Sequence, residues 1–216
     1  MESISKAIMR IRIHFAKTNV MRFTSHLDLH RAWERTIRRA GLPLAYSQGF
    51  RPHPRINLGA ALPLGFTSQD ELVDIWLEDA LPLQDIYQSL IDAAPPGIAI
   101  SAIEEIPQSA PALQTQITAS KYIITLLEPI DDLEAKLENL CGISSIPRQR
   151  RGKVYDLKPL IQEIHRLPDD ESGQQRLEVV LSATEGATGR PEEVILTLGG
   201  KPELARIHRL ALLLTQ

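Results

Sequence analysis

The sequence predicts an α+β protein made of two tandem ferredoxin-like βαββαβ domains, spanning residues 1–107 and 118–216. Three observations predict it. Residues 11–106 read in the order strand, helix, strand, strand, helix, strand, and residues 121–214 repeat that order. Between them, Pro107-Gln-Ser-Ala-Pro-Ala-Leu-Gln-Thr-Gln-Ile117 lacks both charge and period, which marks a linker. At 216 residues, 43% hydrophobic and 24% charged, the chain has apolar material for one or two cores.

Each element has a local reason. Ile11 to Phe15 alternates apolar and polar residues and reads as a strand. Ser25 then caps a helix, with Asp28 placed to answer it as a shortened capping box. Leu29, Trp33, Ile37 and Ala40 form its apolar stripe, and Gly41-Leu42-Pro43 stops it, Gly suiting the left-handed position after a helix. Arg55 to Leu62 and Leu72 to Leu77 read as strands, Leu83 to Ala93 as a helix ended by Pro95-Pro96-Gly97, and Ile98 to Ile106 as the last strand. In the second half, Lys121 to Leu127 is a strand, Asp131 to Leu140 a helix, and Arg148 to Leu157 a strand or loop. Arg176 to Ala183 is a strand, Pro191 to Leu198 a helix and Ala205 to Leu214 a strand. Pro168 to Gly173 is a solvated hairpin tip, and Gly199-Gly200-Lys201 lacks the upstream glycine of a phosphate loop and reads as a turn.

Composition narrows the function. Nothing approaches the ~18 consecutive apolar residues of a membrane span, and the first ten residues hold no signal-like apolar run. Together with the single Cys141, this predicts a cytoplasmic protein with no disulfide, no Cys-only metal or iron–sulfur site and no cofactor. Charge is unevenly spread. Arg10 to Arg55 carries ten Lys/Arg against Asp28 and Glu34, although the whole chain has a net charge of −3. Four of the six histidines (His14, His26, His30, His53) share that segment. Clustered cations suit a polyanion, and RNA is the first ligand to consider.

The run Arg22-Phe23-Thr24-Ser25-His26-Leu27-Asp28, with Glu34-Arg35, Arg38-Arg39-Ala40-Gly41-Leu42-Pro43, Tyr46-Ser47-Gln48-Gly49-Phe50 and Pro52-His53-Pro54, resembles a bacterial family known as radical SAM-linked proteins. The resemblance extends through Pro63-Leu64-Gly65 and, more weakly, through Arg150-Arg151-Gly152-Lys153 with Asp156-Leu157; Arg51 departs from it, since Asn is commoner there. It implies a radical SAM protein as partner, because members are encoded beside or fused to one. The chain itself, with one cysteine, lacks the three-cysteine cluster motif of such an enzyme and reads as its non-catalytic companion.

The candidate contacts fall into three groups. Arg31, Arg35, Arg38 and Arg39 recur at three- and four-residue steps on the polar side of the first helix, and the planar guanidinium suits phosphate. In the Pro-stiffened loop, Tyr46 and Phe50 are placed to stack on bases while Arg51 and Arg55 meet phosphates. Arg150, Arg151 and Lys153, with Arg148 and Lys158 nearby, form a second basic surface. Each has a plainer alternative: a solvated helix face, a Phe50 that plugs the core, an ordinary strand edge. His26 and His30 have metal-pair spacing without an accompanying acid, so no metal is assigned, and His26 and His53 are the candidates for any general base. The expected function is an RNA-binding accessory to a radical SAM enzyme in tRNA or rRNA modification. The alternatives are a metal-independent endoribonuclease and a protein-interaction module.

Overall fold

Met9–Lys17 alternates so that Ile11, Ile13 and Phe15 point to one side and Arg10, Arg12 and His14 to the other, and it forms strand β1. In the computed structural model, which describes residues 8–150 and 152–215, β1 is the central strand of the first of two units, divided between Gln116 and Ile117. Five α-helices and a set of antiparallel strands among the described residues give a mixed α/β architecture of the α+β kind. No helix among these residues is long and apolar enough to cross a membrane.

In the first unit, β1 is followed by helix α1 (His26–Arg39), β2 (Ile56–Leu58), β3 (Thr67–Leu77), α2 (Leu83–Ala93) and β4 (Ile98–Ile106). The strand order is β2-β3-β1-β4, all antiparallel. Ile11, Ile13 and Phe15 pack on Leu29, Trp33 and Ile37 of α1 and on Ile86 and Leu90 of α2. Phe15 meets Trp33 edge to face, ring centres 4.9 Å apart. Helix α1 begins as its sequence dictates: the Asp28 backbone N–H donates to Ser25 Oγ at 3.1 Å, and the Ser25 hydroxyl donates to Asp28 Oδ2 at 2.7 Å. It ends at Ala40, with Gly41 at φ 69°.

Three strands of this unit differ in length from expectation, β1 by two residues at each end. β2 is confined to Ile56–Leu58, while β3 begins at Thr67, five residues before its apolar run. The polar residues Ser68 and Asp70 sit in β3 because the sheet satisfies them. Ser68 Oγ accepts from the Lys17 N–H at 3.2 Å, and Asp70 Oδ1 meets His14 Nδ1 at 3.0 Å.

The second face of this sheet is polar and largely buried. Asp74, fully buried, accepts from Arg10 Nε at 3.1 Å and Nη2 at 2.6 Å, and from Arg12 Nε at 2.8 Å and Nη2 at 3.1 Å. Arg10 also donates to the carbonyls of Ala110 (2.7 Å) and Pro111 (2.8 Å). The segment from residue 107 to 116 is therefore not a free linker. Arg10 ties it down, Leu113 is buried, and it closes in a short helix, α3 (Leu113–Gln116).

His14 lies on the same face, with Asp70 on one side and Glu104 Oε1 3.6 Å from Nε2 on the other. Its hydrogen bond to Asp70 is the chief reason that its pKa is raised above 6.5. A raised folded-state pKa means that the native protein holds its proton more tightly than the unfolded chain does. The stabilisation is thus complete below pH 6.5 and lost as pH rises through the higher native value. Stability of the wild type should fall across that window, and His14→Gln should remove this component; a pH series of urea denaturations in which both proteins behave alike would contradict it.

The second unit runs β5 (Ile117–Leu126), α4 (Leu133–Gly142), β6 (Pro147–Arg150), β7 (Lys153–Asp156), β8 (Ile161–Leu167), β9 (Arg176–Thr184), β10 (Ala187–Thr188), α5 (Pro191–Thr197) and β11 (Ala205–Leu214). Here β8 and β10 pair with β9, and the order continues β9-β5-β11, again antiparallel. Within the stretch expected as one strand or loop, β6 and β7 pair with each other as a separate two-stranded sheet and do not join this one. The sheet position beside β9 belongs to β8, a strand that sequence pattern did not reveal.

Candidate nucleic-acid interface

Because Leu29, Trp33 and Ile37 turn α1 toward the core, residues half a turn away must face solvent. Arg31, Arg35, Arg38 and Arg39 are all exposed there. Two of them are shared: Arg31 Nη1 lies 3.1 Å from Asp28 and Arg38 Nη2 2.7 Å from Glu34. Arg35 and Arg39 make no ion pair among the described residues.

The loop after α1 is joined to this row. Arg38 Nη2 donates to Tyr46 Oη at 2.9 Å. Tyr46 bridges to Pro54 across the loop, the Ser47 N–H donates to the His53 carbonyl at 2.8 Å, and the His53 N–H donates to Ser47 Oγ at 3.0 Å. These bonds close the base of the loop, and Gly49 at φ 134° turns its tip. Phe50 stands fully exposed at that tip (108%), with Arg51, Pro52 and His53 exposed beside it. Phe50 does not plug the core.

Arg55 is placed differently. Its guanidinium lies 4.6 Å from the centre of the Trp76 ring, and Arg10 lies 5.0 Å from the same ring. Burial, and then repulsion from Arg10, lowers the Arg55 pKa from its ordinary value. Arg55 is thus a half-buried part of the sheet edge. Arg10 and Arg12 are both bound to Asp74 on the buried face of the sheet, and Lys17 is buried with Nζ donating to the Thr24 carbonyl at 3.0 Å. Much of the basic excess between residues 10 and 55 therefore serves the fold, and the part available to a ligand is the α1 row with the loop tip.

His26 is exposed at the first position of α1, whereas His30 Nε2 contacts the Ile56 carbonyl at 3.3 Å, so the two rings serve different surroundings. No group of three or more His, Cys, Asp or Glu among the described residues is arranged to hold a metal ion. His53 is bonded through its main chain, and no acid is paired with its ring among the described residues.

In the second unit Arg150 is half-buried and Lys153 exposed, on the two strands of the β6–β7 hairpin; Arg151 lies outside the described residues. Arg148 and Lys158 are committed internally. Arg148 donates to Thr197 Oγ1, and Lys158 Nζ donates to the Leu140 (2.7 Å) and Cys141 (3.0 Å) carbonyls at the end of α4. Burial, with Glu193 nearby, pushes the Tyr155 phenol up to about 12.

Sequence reasoning missed a feature at the other end of α1. Val20, Phe23, Leu27 and Leu64 are large apolar residues left in solvent, and the Arg22 guanidinium lies 4.8 Å over the Phe23 ring. The Gly65 N–H donates to the Arg22 carbonyl at 2.8 Å, which joins the turn at residues 63–65 to this segment. A signal was present. Leu27 falls two residues before Leu29 and so lies off the apolar stripe, where burial does not explain it.

The chain matches, over residues 10–191, the family described as an uncharacterized protein conserved in bacteria (DUF2344). Comparison with curated proteins gives no match. The chain belongs to this bacterial family.

Proposed function

We propose that this member of an uncharacterised bacterial family is an RNA-binding protein whose first unit meets phosphates with Arg31, Arg35, Arg38, Arg39 and Arg51 and bases with Phe50. The observation that carries the reading is that α1 lays four arginines on one solvent face, and that Arg38 joins this face through Tyr46 to a loop with a bare phenylalanine at its tip. Guanidinium groups beside an exposed aromatic ring match the phosphates and unstacked bases of RNA. In the second unit, Arg150, Arg151 and Lys153 are a separate set of proposed RNA contacts. We read both units as ferredoxin-like domains, supported by their matching strand orders. Service to a radical SAM enzyme in tRNA or rRNA modification, in the cytoplasm, is supported by the sequence resemblance alone. Binding is favoured over cleavage because His53 has no acid on its ring among the described residues and His26 lies at the far end of α1. The test is to sequence RNA that co-purifies with the protein and to titrate the purified chain with that RNA at low salt. Enrichment of defined tRNA or rRNA fragments that rebind is the expected result, and absence of both co-purifying RNA and rebinding would overturn the proposal.

A further inference from the structure

We infer that the bound RNA is an unpaired strand lying along α1 between two aromatic platforms, Phe23 before the first turn and Phe50 beyond the last. This deepens the RNA-binding reading and rests on it. Phe23, three residues before α1, is 73% exposed, and Leu27, in the first turn of α1, 69%. Large apolar side chains grouped on a surface mark a contact site. The main chain on both sides of Phe23 is held: Lys17 Nζ donates to the Thr24 carbonyl at 3.0 Å, and the Gly65 N–H donates to the Arg22 carbonyl at 2.8 Å. Arg22 stacks on the ring at 4.8 Å, which places a cation beside an aromatic face, the pairing that stacks bases and meets phosphates in single-strand binders.

The placement of the cations turns two isolated rings into a track. Within α1, Leu27, Arg31, Arg35 and Arg39 follow one another at four-residue steps, and Phe23 lies three residues before the first residue of the helix. It ends where Arg38 grips Tyr46, four residues before Phe50. Helix α1 has 14 residues, which at 1.5 Å each span roughly 20 Å. A stacked strand advances about 3.4 Å per nucleotide, so about six nucleotides cover the track, and fewer if the strand is stretched. Duplex RNA does not fit this arrangement, because its paired bases are not free to turn out onto the two rings and its major groove is too narrow for side chains to read. The Asp28–Arg31 pair is exposed and the Glu34–Arg38 pair joins an exposed arginine to a half-buried carboxylate, and both arginines are open enough for phosphates to compete with the carboxylates.

The experiment is fluorescence anisotropy with labelled oligouridylates of increasing length and with a blunt RNA duplex. The proteins are the wild type, Phe23→Ala, Phe50→Ala, and Arg35→Ala with Arg39→Ala. Affinity should climb with length and level off near about six nucleotides, and the duplex should bind more weakly. On strands that long, each Phe variant should lose on the order of tenfold in affinity, the scale of one lost base stack. Equal binding of strand and duplex overturns the inference, as does wild-type binding by Phe23→Ala. If the arginine variant is still impaired in either case, the phosphate-binding proposal survives. Failure of every protein to bind either RNA overturns the inference, and the RNA-binding proposal falls with it only if no co-purifying RNA rebinds.

Discussion

Asp74→Asn should destabilise the protein by about 3–5 kcal/mol, the scale expected when one member of a buried ionic group is removed. Asp74 is fully buried, and both of its oxygens are occupied by Arg10 and Arg12, themselves almost fully buried. The amide keeps the volume, so no cavity is made, but it leaves two buried guanidinium groups without a counter-charge and turns one acceptor into a donor facing N–H groups. Arg10 also carries the carbonyls of Ala110 and Pro111, so the loss should spread to the segment from residue 107 to 116. Urea denaturation gives the energy, and hydrogen exchange across that segment gives the location. A change below about 1 kcal/mol would contradict the account, since surface substitutions alone typically stay within about 0.5 kcal/mol.

Arg35→Ala combined with Arg39→Ala should leave stability within about 0.5 kcal/mol, because both side chains are exposed and make no ion pair among the described residues. RNA binding should fall together with its dependence on salt. For a single strand the logarithmic salt slope is about 0.7 per neutralised phosphate, so two lost contacts should flatten it by about 1.4. Arg10 and Arg12 are poor substitutes for this test, since removing either disrupts the Asp74 group and confounds binding with unfolding. A double variant with unchanged affinity and slope would remove the α1 row from the interface. One that fails to fold would show these side chains to be structural.

The local parts of this molecule were legible. Ser25 with Asp28, the Leu29-Trp33-Ile37 stripe and Gly41 mark both ends and the inner face of α1 because all act within a few residues of one another. What was illegible depends on distant partners. Arg10 and Arg12 look like ligand-binding cations until Asp74, 64 and 62 residues away, is seen to hold both of them in the buried face of the sheet. Arg55 likewise is committed by Trp76, its cross-sheet neighbour. β8 was hidden because Ile161, Ile164 and Leu167 recur at three-residue steps, a helix-like spacing, and only pairing with β9 makes it a strand. The Thr67 start of β3 was hidden because its polar residues are satisfied by β1. At the interface, the arginine row followed from helical spacing, whereas the stiff loop left open whether Phe50 meets bases or plugs the core, and only the structure shows it bare. Phe23 was not legible, because an aromatic residue just before a helix cap is as readily buried as exposed, and only the surrounding turns decide.

The most direct test of the central claim is the affinity of the purified protein for an unpaired RNA strand, measured over a series of salt concentrations. Exposed arginines on α1 and in the loop should give tight binding at low salt. They should also give a steep linear fall of log affinity with log salt, corresponding to about four to five phosphate contacts at about 0.7 each. A slope near zero, or no binding at the lowest salt, would contradict it.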